Sequence, residues 1–145
     1  MEIKRKSKNT EYLSIASTVA LLIPVFIGLS LEQYTYVAFA TLVFVGSTLF
    51  HITKPEGPVW WTGKGQTPTQ VFFLYVDTVV SLVFGSYITW LLFAEGDLLK
   101  IGLVLALFIP TFYIYFRGWG NYELEHAIWH IAASILALAP FVSFV

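Results

Sequence analysis

Five long apolar runs, separated by short stretches that carry most of the charged residues, set the pattern of the chain: 13–31, 36–52, 71–94, 98–116 and 122–145. A helix that crosses a bilayer needs about 20 mostly apolar residues, because each adds about 1.5 Å toward a hydrocarbon core of about 30 Å. All five runs come near or reach that length. The pattern therefore predicts an all-α polytopic membrane bundle of five transmembrane helices, with residues 1–145 forming a single membrane domain. Pro24, Pro110 and Pro140 fall inside the runs, where neighbouring helices can re-satisfy the carbonyls that proline frees.

Composition agrees and narrows the class. The 145 residues are 57% hydrophobic and 12% charged, with a mean hydropathy of +0.74. Soluble domains carry about a quarter charged residues, so an ordinary cytosolic globule is excluded. A disordered chain would be poor in aromatics and rich in charge, and is excluded too. The net charge of −1, with no basic stripe beyond the N-terminus, argues against a nucleic-acid partner. The chain has no cysteine, which removes disulfides, thiolate zinc sites and cysteine nucleophiles.

Charge also orients the bundle. Lys4, Arg5, Lys6 and Lys8 precede the first run and resemble the basic segment of a signal peptide. That run is longer than the roughly 7–15 residues of a signal core and has no small-residue cleavage site, so it is expected to stay as a helix. With the N-terminus in the cytoplasm, Lys54, Lys64 and Arg117 fall on the same side, and of the eight basic residues only Lys100 lies outside. Basic loops favour the cytoplasm, which gives N-terminus in and C-terminus out. The longest loop, 53–70, is then cytoplasmic and made irregular by its prolines and glycines. Trp60 and Trp61 suit the headgroup layer, as an interfacial anchor or as a lid over a substrate opening. There is no internal repeat and no Asn-x-Ser/Thr sequon.

Four ionisable residues break the apolar runs: His51, Asp77, His126 and His130. Each costs about 2.5–3.5 kcal/mol at mid-helix on insertion scales, so their placement asks for a reason. With Ser47 they lie within roughly 2–13 Å of the same membrane face when counted along their helices. Ser47 and His51 are i and i+4, as are His126 and His130, so each pair shares a helix face. Two imidazoles one turn apart can grip one metal ion, and a third from another helix completes a His₃ set with an open position, the arrangement of catalytic zinc. Asp77 near such a site can orient a water or take its proton, and Ser47 can donate to a developing oxyanion.

Blander readings stand beside this one. A single intramembrane histidine is often an interhelical hydrogen-bonding group, and Ser47, Ser81 and Ser134 all suit helix packing. Five residues from three helices at one depth favour a site over coincidence. Glu125 projects about 100° from His126 on an ideal helix and is left out. A non-catalytic metal- or haem-binding protein or receptor is the alternative, although haem would leave one histidine of the i, i+4 pair redundant. A Ser47–His51–Asp77 triad gives His126 and His130 no role. A transporter would need polar residues in the outer leaflet as well.

Taken together, Ser-x-x-x-His at Ser47 and His51, an acid at Asp77 on the next helix, and His-x-x-x-His at His126 and His130 resemble the CREST superfamily of membrane hydrolases. That group includes alkaline ceramidases, the progestin and adiponectin receptor family, and GPI-remodelling phospholipases. Trp129, directly before the final histidine, is closer to the ceramidase and phospholipase branches. The resemblance runs from about Phe44 to Ser134. It implies His51, His126 and His130 as ligands of Zn2+, Asp77 as the acid that positions or deprotonates the water, and Ser47 as the serine beside the metal. The implied activity is hydrolysis of a membrane lipid amide or ester near the cytoplasmic face. The family has seven helices where this pattern has five, which removes part of the wall. The site then opens to lipid or is closed by a second copy in a homodimer.

Overall fold

The computed structural model describes residues 11–53, 67–117 and 122–142, and their regular structure is entirely helical. The elements are α1 (Glu11–Thr18), a 3-10 turn (Val19–Leu21), α2 (Leu22–Ser30), α3 (Tyr34–Thr53), α4 (Pro68–Glu95), α5 (Leu98–Arg117), α6 (Tyr122–Ala137) and a second 3-10 turn (Ala139–Phe141). Among the described residues, four stretches are long and apolar enough to cross a membrane: Tyr12–Ser30, which joins α1 to α2, then α3, α4 and Leu124–Phe141. The apolar part of α5, Leu98–Tyr113, is shorter. Trp60, Trp61 and the basic residues Lys4, Arg5, Lys6, Lys8, Lys54 and Lys64 lie outside the described residues.

Proline explains two departures from the sequence pattern. The first span is broken at Val19–Leu21, where Pro24 can donate no hydrogen bond to the Ala20 carbonyl and its ring crowds that carbonyl. The last helix stops at Ala137 instead of running to 145, because Pro140 cannot donate to the Leu136 carbonyl, and the chain tightens into the 3-10 turn that begins at Ala139. The third span starts at Pro68, three residues before the apolar run. Thr67 caps it: its hydroxyl accepts from the Gln70 backbone N–H at 3.4 Å, and its own N–H donates to Gln70 Oε1 at 2.8 Å. Gln70 Nε2 also donates to the Thr53 carbonyl at 2.6 Å, which ties the start of α4 to the end of α3.

The connections between later elements are equally local. Gln33 N donates to Gly28 O and Glu32 N to Leu29 O, a Schellman closure of α2 that holds Glu32 at a φ of 57°. Gly96 ends α4 in the left-handed region at φ 70°, and Asp97 Oδ1 then caps α5 by accepting from Leu99 N and Lys100 N.

In the bundle, α3 lies between α2 and α4, α1 packs against α6 and α3, and α5 packs against α6. Contact between α4 and α5 is sparse by comparison. Tyr36 is the hub of the core: fully buried, edge-on to Phe84 and Phe141 at 5.2 and 4.8 Å, with its hydroxyl donating to the Ala137 carbonyl at 2.8 Å. That bond serves a carbonyl left over where α6 ends. Gly28 lets α2 approach, since a Cβ there would sit 2.7 Å from the Tyr36 ring. The buried stripe of α3 runs through Tyr36, Ala40, Val43, Ser47 and Phe50 to His51 at helical spacing. Ser47 and His51 thus continue the core seam and face the same neighbours.

Candidate metal centre

His51 reaches the centre of the bundle from α3, and His126 and His130 from successive turns of α6. All three are buried. One ring nitrogen from each lies within 4.8 Å of the others. The ring centroids are 4.6 Å apart for His51 and His126, 5.0 Å for His51 and His130, and 4.6 Å for His126 and His130. An ion bound at about 2.0–2.1 Å in tetrahedral geometry wants its nitrogens about 3.4 Å apart, a closure within reach of small rotations of the three rings. Three buried imidazoles this close together offer a set of nitrogen donors that could hold a divalent metal ion.

Ser47 and Asp77 join the same cluster. The Ser47 hydroxyl meets His130 Nε2 at 3.1 Å and is the hydrogen-bonding neighbour of the Asp77 carboxyl. Close packing of α3 and α4 at this level brings the last two together: a Cβ on Gly46 would lie 3.5 Å from Asp77 Cα. Every residue that the spacing argument selected is therefore in one place. The imidazole that Ser47 meets belongs to α6, so the hydroxyl is aligned with the histidine pair instead of forming a catalytic dyad along its own helix.

The remaining sequence candidates sort differently. Ser134 donates to the His130 carbonyl at 2.8 Å, a bond along its own helix that fits a packing role. Ser81 stands on the wall of a cavity. Glu125 is buried, although its position on α6 turns it away from the His126 and His130 face.

One contributor escaped the sequence reading. Ser17, on α1, meets His130 Nδ1 at 2.7 Å, so both nitrogens of this ring have hydroxyl partners. Ser14 and Thr18 flank it on the buried side of α1, and Thr48 of α3 donates to Thr18 Oγ1 at 3.3 Å. Depth along the first apolar run puts Ser17 at the right level, about 6 Å in from the same end, but Ser14 and Thr18 lie at a similar level and depth alone does not single it out.

A cavity of about 730 Å³ opens from the cluster, with Ser47, Asp77, His126 and His130 on its wall. It continues between α4 and α5 past Phe108 and Gly85 as far as Leu92, so at 1.5 Å per residue it extends about 22 Å along α4 from Asp77. Its lining is mostly apolar apart from the cluster and a few hydroxyls. The space exists because α4 and α5 scarcely pack together.

No family model matches the sequence, and no curated protein or solved structure is similar to it at a significant level.

Proposed function

We propose that the chain is a zinc-dependent intramembrane hydrolase of a lipid amide or ester, spanning the membrane five times with its N-terminus in the cytoplasm. The observation that carries this reading is the convergence of three buried imidazoles, a serine and an aspartate at one end of a long apolar cavity. A metal centre alone would not need such a cavity, and a lipid tail is the chemistry its walls suit. The placement of seven of the eight basic residues supports a site near the cytoplasmic face.

His51, His126 and His130 hold the ion in this reading. Zinc bound there supplies Lewis acidity and a water that is nucleophilic at neutral pH. Asp77 takes the proton that the attacking water loses and delivers it to the departing amine or alcohol as the carbonyl bond to it breaks. Ser47 has one hydroxyl proton and two hydrogen-bonding neighbours, His130 Nε2 and Asp77. With His130 committed to an ion, that proton turns to Asp77 or to the developing oxyanion. The apolar walls keep bulk water from the reacting carbonyl and hold the acyl chain in line with it.

Plasma mass spectrometry on detergent-purified protein, beside a His126→Ala variant, tests the metal. The expected result is about one zinc per chain in the parent and a loss in the variant, since removing one of three ligands leaves an incomplete set. Hydrolysis of ceramides and phospholipids in mixed micelles then tests turnover. Metal-free protein with no change on mutation would sink the reading, and a zinc-loaded protein inert toward both lipid classes would reduce it to a binding protein.

A further inference from the structure

We infer that Ser17 is a positioning residue for the metal centre, one that fixes the tautomer of His130 so that Nε2 faces the cluster. The inference rests on the reading of the three histidines as metal ligands and adds a residue from a helix that contributes no ligand.

The argument is a count of protons. Ser17 Oγ lies 2.7 Å from the Ser14 carbonyl oxygen and 2.7 Å from His130 Nδ1. Both are hydrogen-bond distances, and a hydroxyl has a single proton to donate. The carbonyl can only accept. If Ser17 donated to Nδ1, its oxygen lone pairs would be pressed against the Ser14 oxygen with no hydrogen between them. Both contacts are satisfied only when Ser17 donates to Ser14 and accepts from Nδ1–H. A neutral imidazole with its proton on Nδ1 presents a lone pair at Nε2. That nitrogen is the one met at 3.1 Å by Ser47, itself on the cavity wall.

The first span is shaped for this task. Ser17 falls in the last turn of α1, immediately before the 3-10 turn at Val19–Leu21. Its bond to Ser14 spans three residues and so uses the carbonyl that a hydroxyl on the same helical face can reach. The buried Thr18 donates likewise to the Ile15 carbonyl at 2.7 Å. The α1 segment therefore anchors its hydroxyls along its own backbone, leaving the Ser17 oxygen as a fixed acceptor aimed at α6. Metal-bound histidines commonly need such an acceptor on the second nitrogen, and losing it typically weakens metal binding about 10- to 100-fold.

Two measurements on the full chain in detergent test the assignment. In the first, zinc and cobalt affinities are measured by chelator competition for the parent, Ser17→Ala and Ser17→Thr. The expected result is a loss of about tenfold or more in Ser17→Ala, and recovery in Ser17→Thr, which keeps the hydroxyl. The cobalt absorption spectrum should shift in Ser17→Ala as the ligand field of His130 changes. Equal affinities and spectra in parent and Ser17→Ala would overturn the role of Ser17. A parent that binds neither metal would overturn the metal reading itself. In the second, nitrogen-15 NMR of the metal-free parent reads the His130 tautomer without any variant. The Nδ1–H form is expected, and an Nε2–H form would refute the proton count whether or not the protein binds metal.

Discussion

If the proposed lipid hydrolysis holds, replacing Gly85 with tryptophan should restrict it to short acyl chains. Gly85 is on the cavity wall, and a Cβ added there meets no atom within 4 Å. The first side-chain carbon is therefore accommodated freely, and the substitution removes a poor helix former from a helix interior. Gly85 lies about 12 Å beyond Asp77 along α4, and side chains on a helix lean toward its N-terminus, so the indole covers the wall roughly 7–12 Å from Asp77. An extended chain gains about 1.2 Å per bond, which places the obstruction roughly six to ten bonds from the scissile carbonyl. A tail moving from lipid into the cavity exchanges one apolar phase for another, so the penalty is steric. Forcing methylenes into a filled site costs about 1–3 kcal/mol, and that corresponds to about a 5- to 150-fold drop in kcat/KM. The assay is hydrolysis of amides and esters from acetyl to palmitoyl in mixed micelles, with zinc content measured in parallel. Unchanged cleavage of acetyl and butyryl substrates and a falling rate toward palmitoyl are expected. A loss of equal size at every chain length, or none at palmitoyl with zinc retained, would refute the cavity as the acyl site.

Other expectations concern the scaffold. Tyr36→Phe keeps the edge-on ring contacts but strands the Ala137 carbonyl, which should cost about 1–3 kcal/mol of stability, read as a lower thermal midpoint. Its zinc content should not change, because Tyr36 lies about 22 Å from His51 along α3; a loss of metal would mean that the two ends of the bundle are coupled. Glu32→Gly relieves a left-handed residue worth about 1–2 kcal/mol, offset by about 0.5–1 kcal/mol of extra chain entropy in the unfolded state. A gain of up to about 1.5 kcal/mol should appear in the same melting experiment, and a drop in stability would contradict the strain assigned to this turn.

Much of this arrangement can be read without coordinates. Spans follow from apolar length, and the depth of a residue follows from its count along a span. Those two facts were enough to group Ser47, His51, Asp77, His126 and His130, because an intramembrane charge is too costly to be scattered at random. Periodicity explains why the grouping is productive: the i, i+4 spacing of Ser47 with His51 and of His126 with His130 places each pair on the buried face of its helix. Less legible were the helix ends. Both prolines that reshape the chain, Pro24 and Pro140, were visible in the apolar runs, but whether a proline is absorbed or ends a helix depends on what satisfies the freed carbonyls. Before Pro140 the helix stops at Ala137, and there the bundle supplies one partner for its end, the Tyr36 hydroxyl on the Ala137 carbonyl.

What depth and periodicity cannot provide is the identity of neighbouring helices. Spacing along α3 suggests that Ser47 serves His51, its own i+4 partner, yet the hydroxyl meets His130 of α6. Likewise nothing in the first apolar run announces that α1 lies against α6, and so Ser17 reads as one small residue among several. Both assignments depend on which helix faces which, and here that is set by the order α4–α3–α1–α6–α5 around the bundle. The same order leaves α4 and α5, which are consecutive in sequence and joined by a tight turn, as the pair that scarcely packs. A lipid-sized cavity thus lies between the two helices that sequence proximity would have paired most closely. Its wall carries the cluster because α3 and α6, which bear the histidines, meet directly there: His51 faces His126 and His130, and Ser47 meets His130 Nε2. The helix that looks least chemical in the sequence, α1, nevertheless supplies the hydroxyl that meets the other nitrogen of His130.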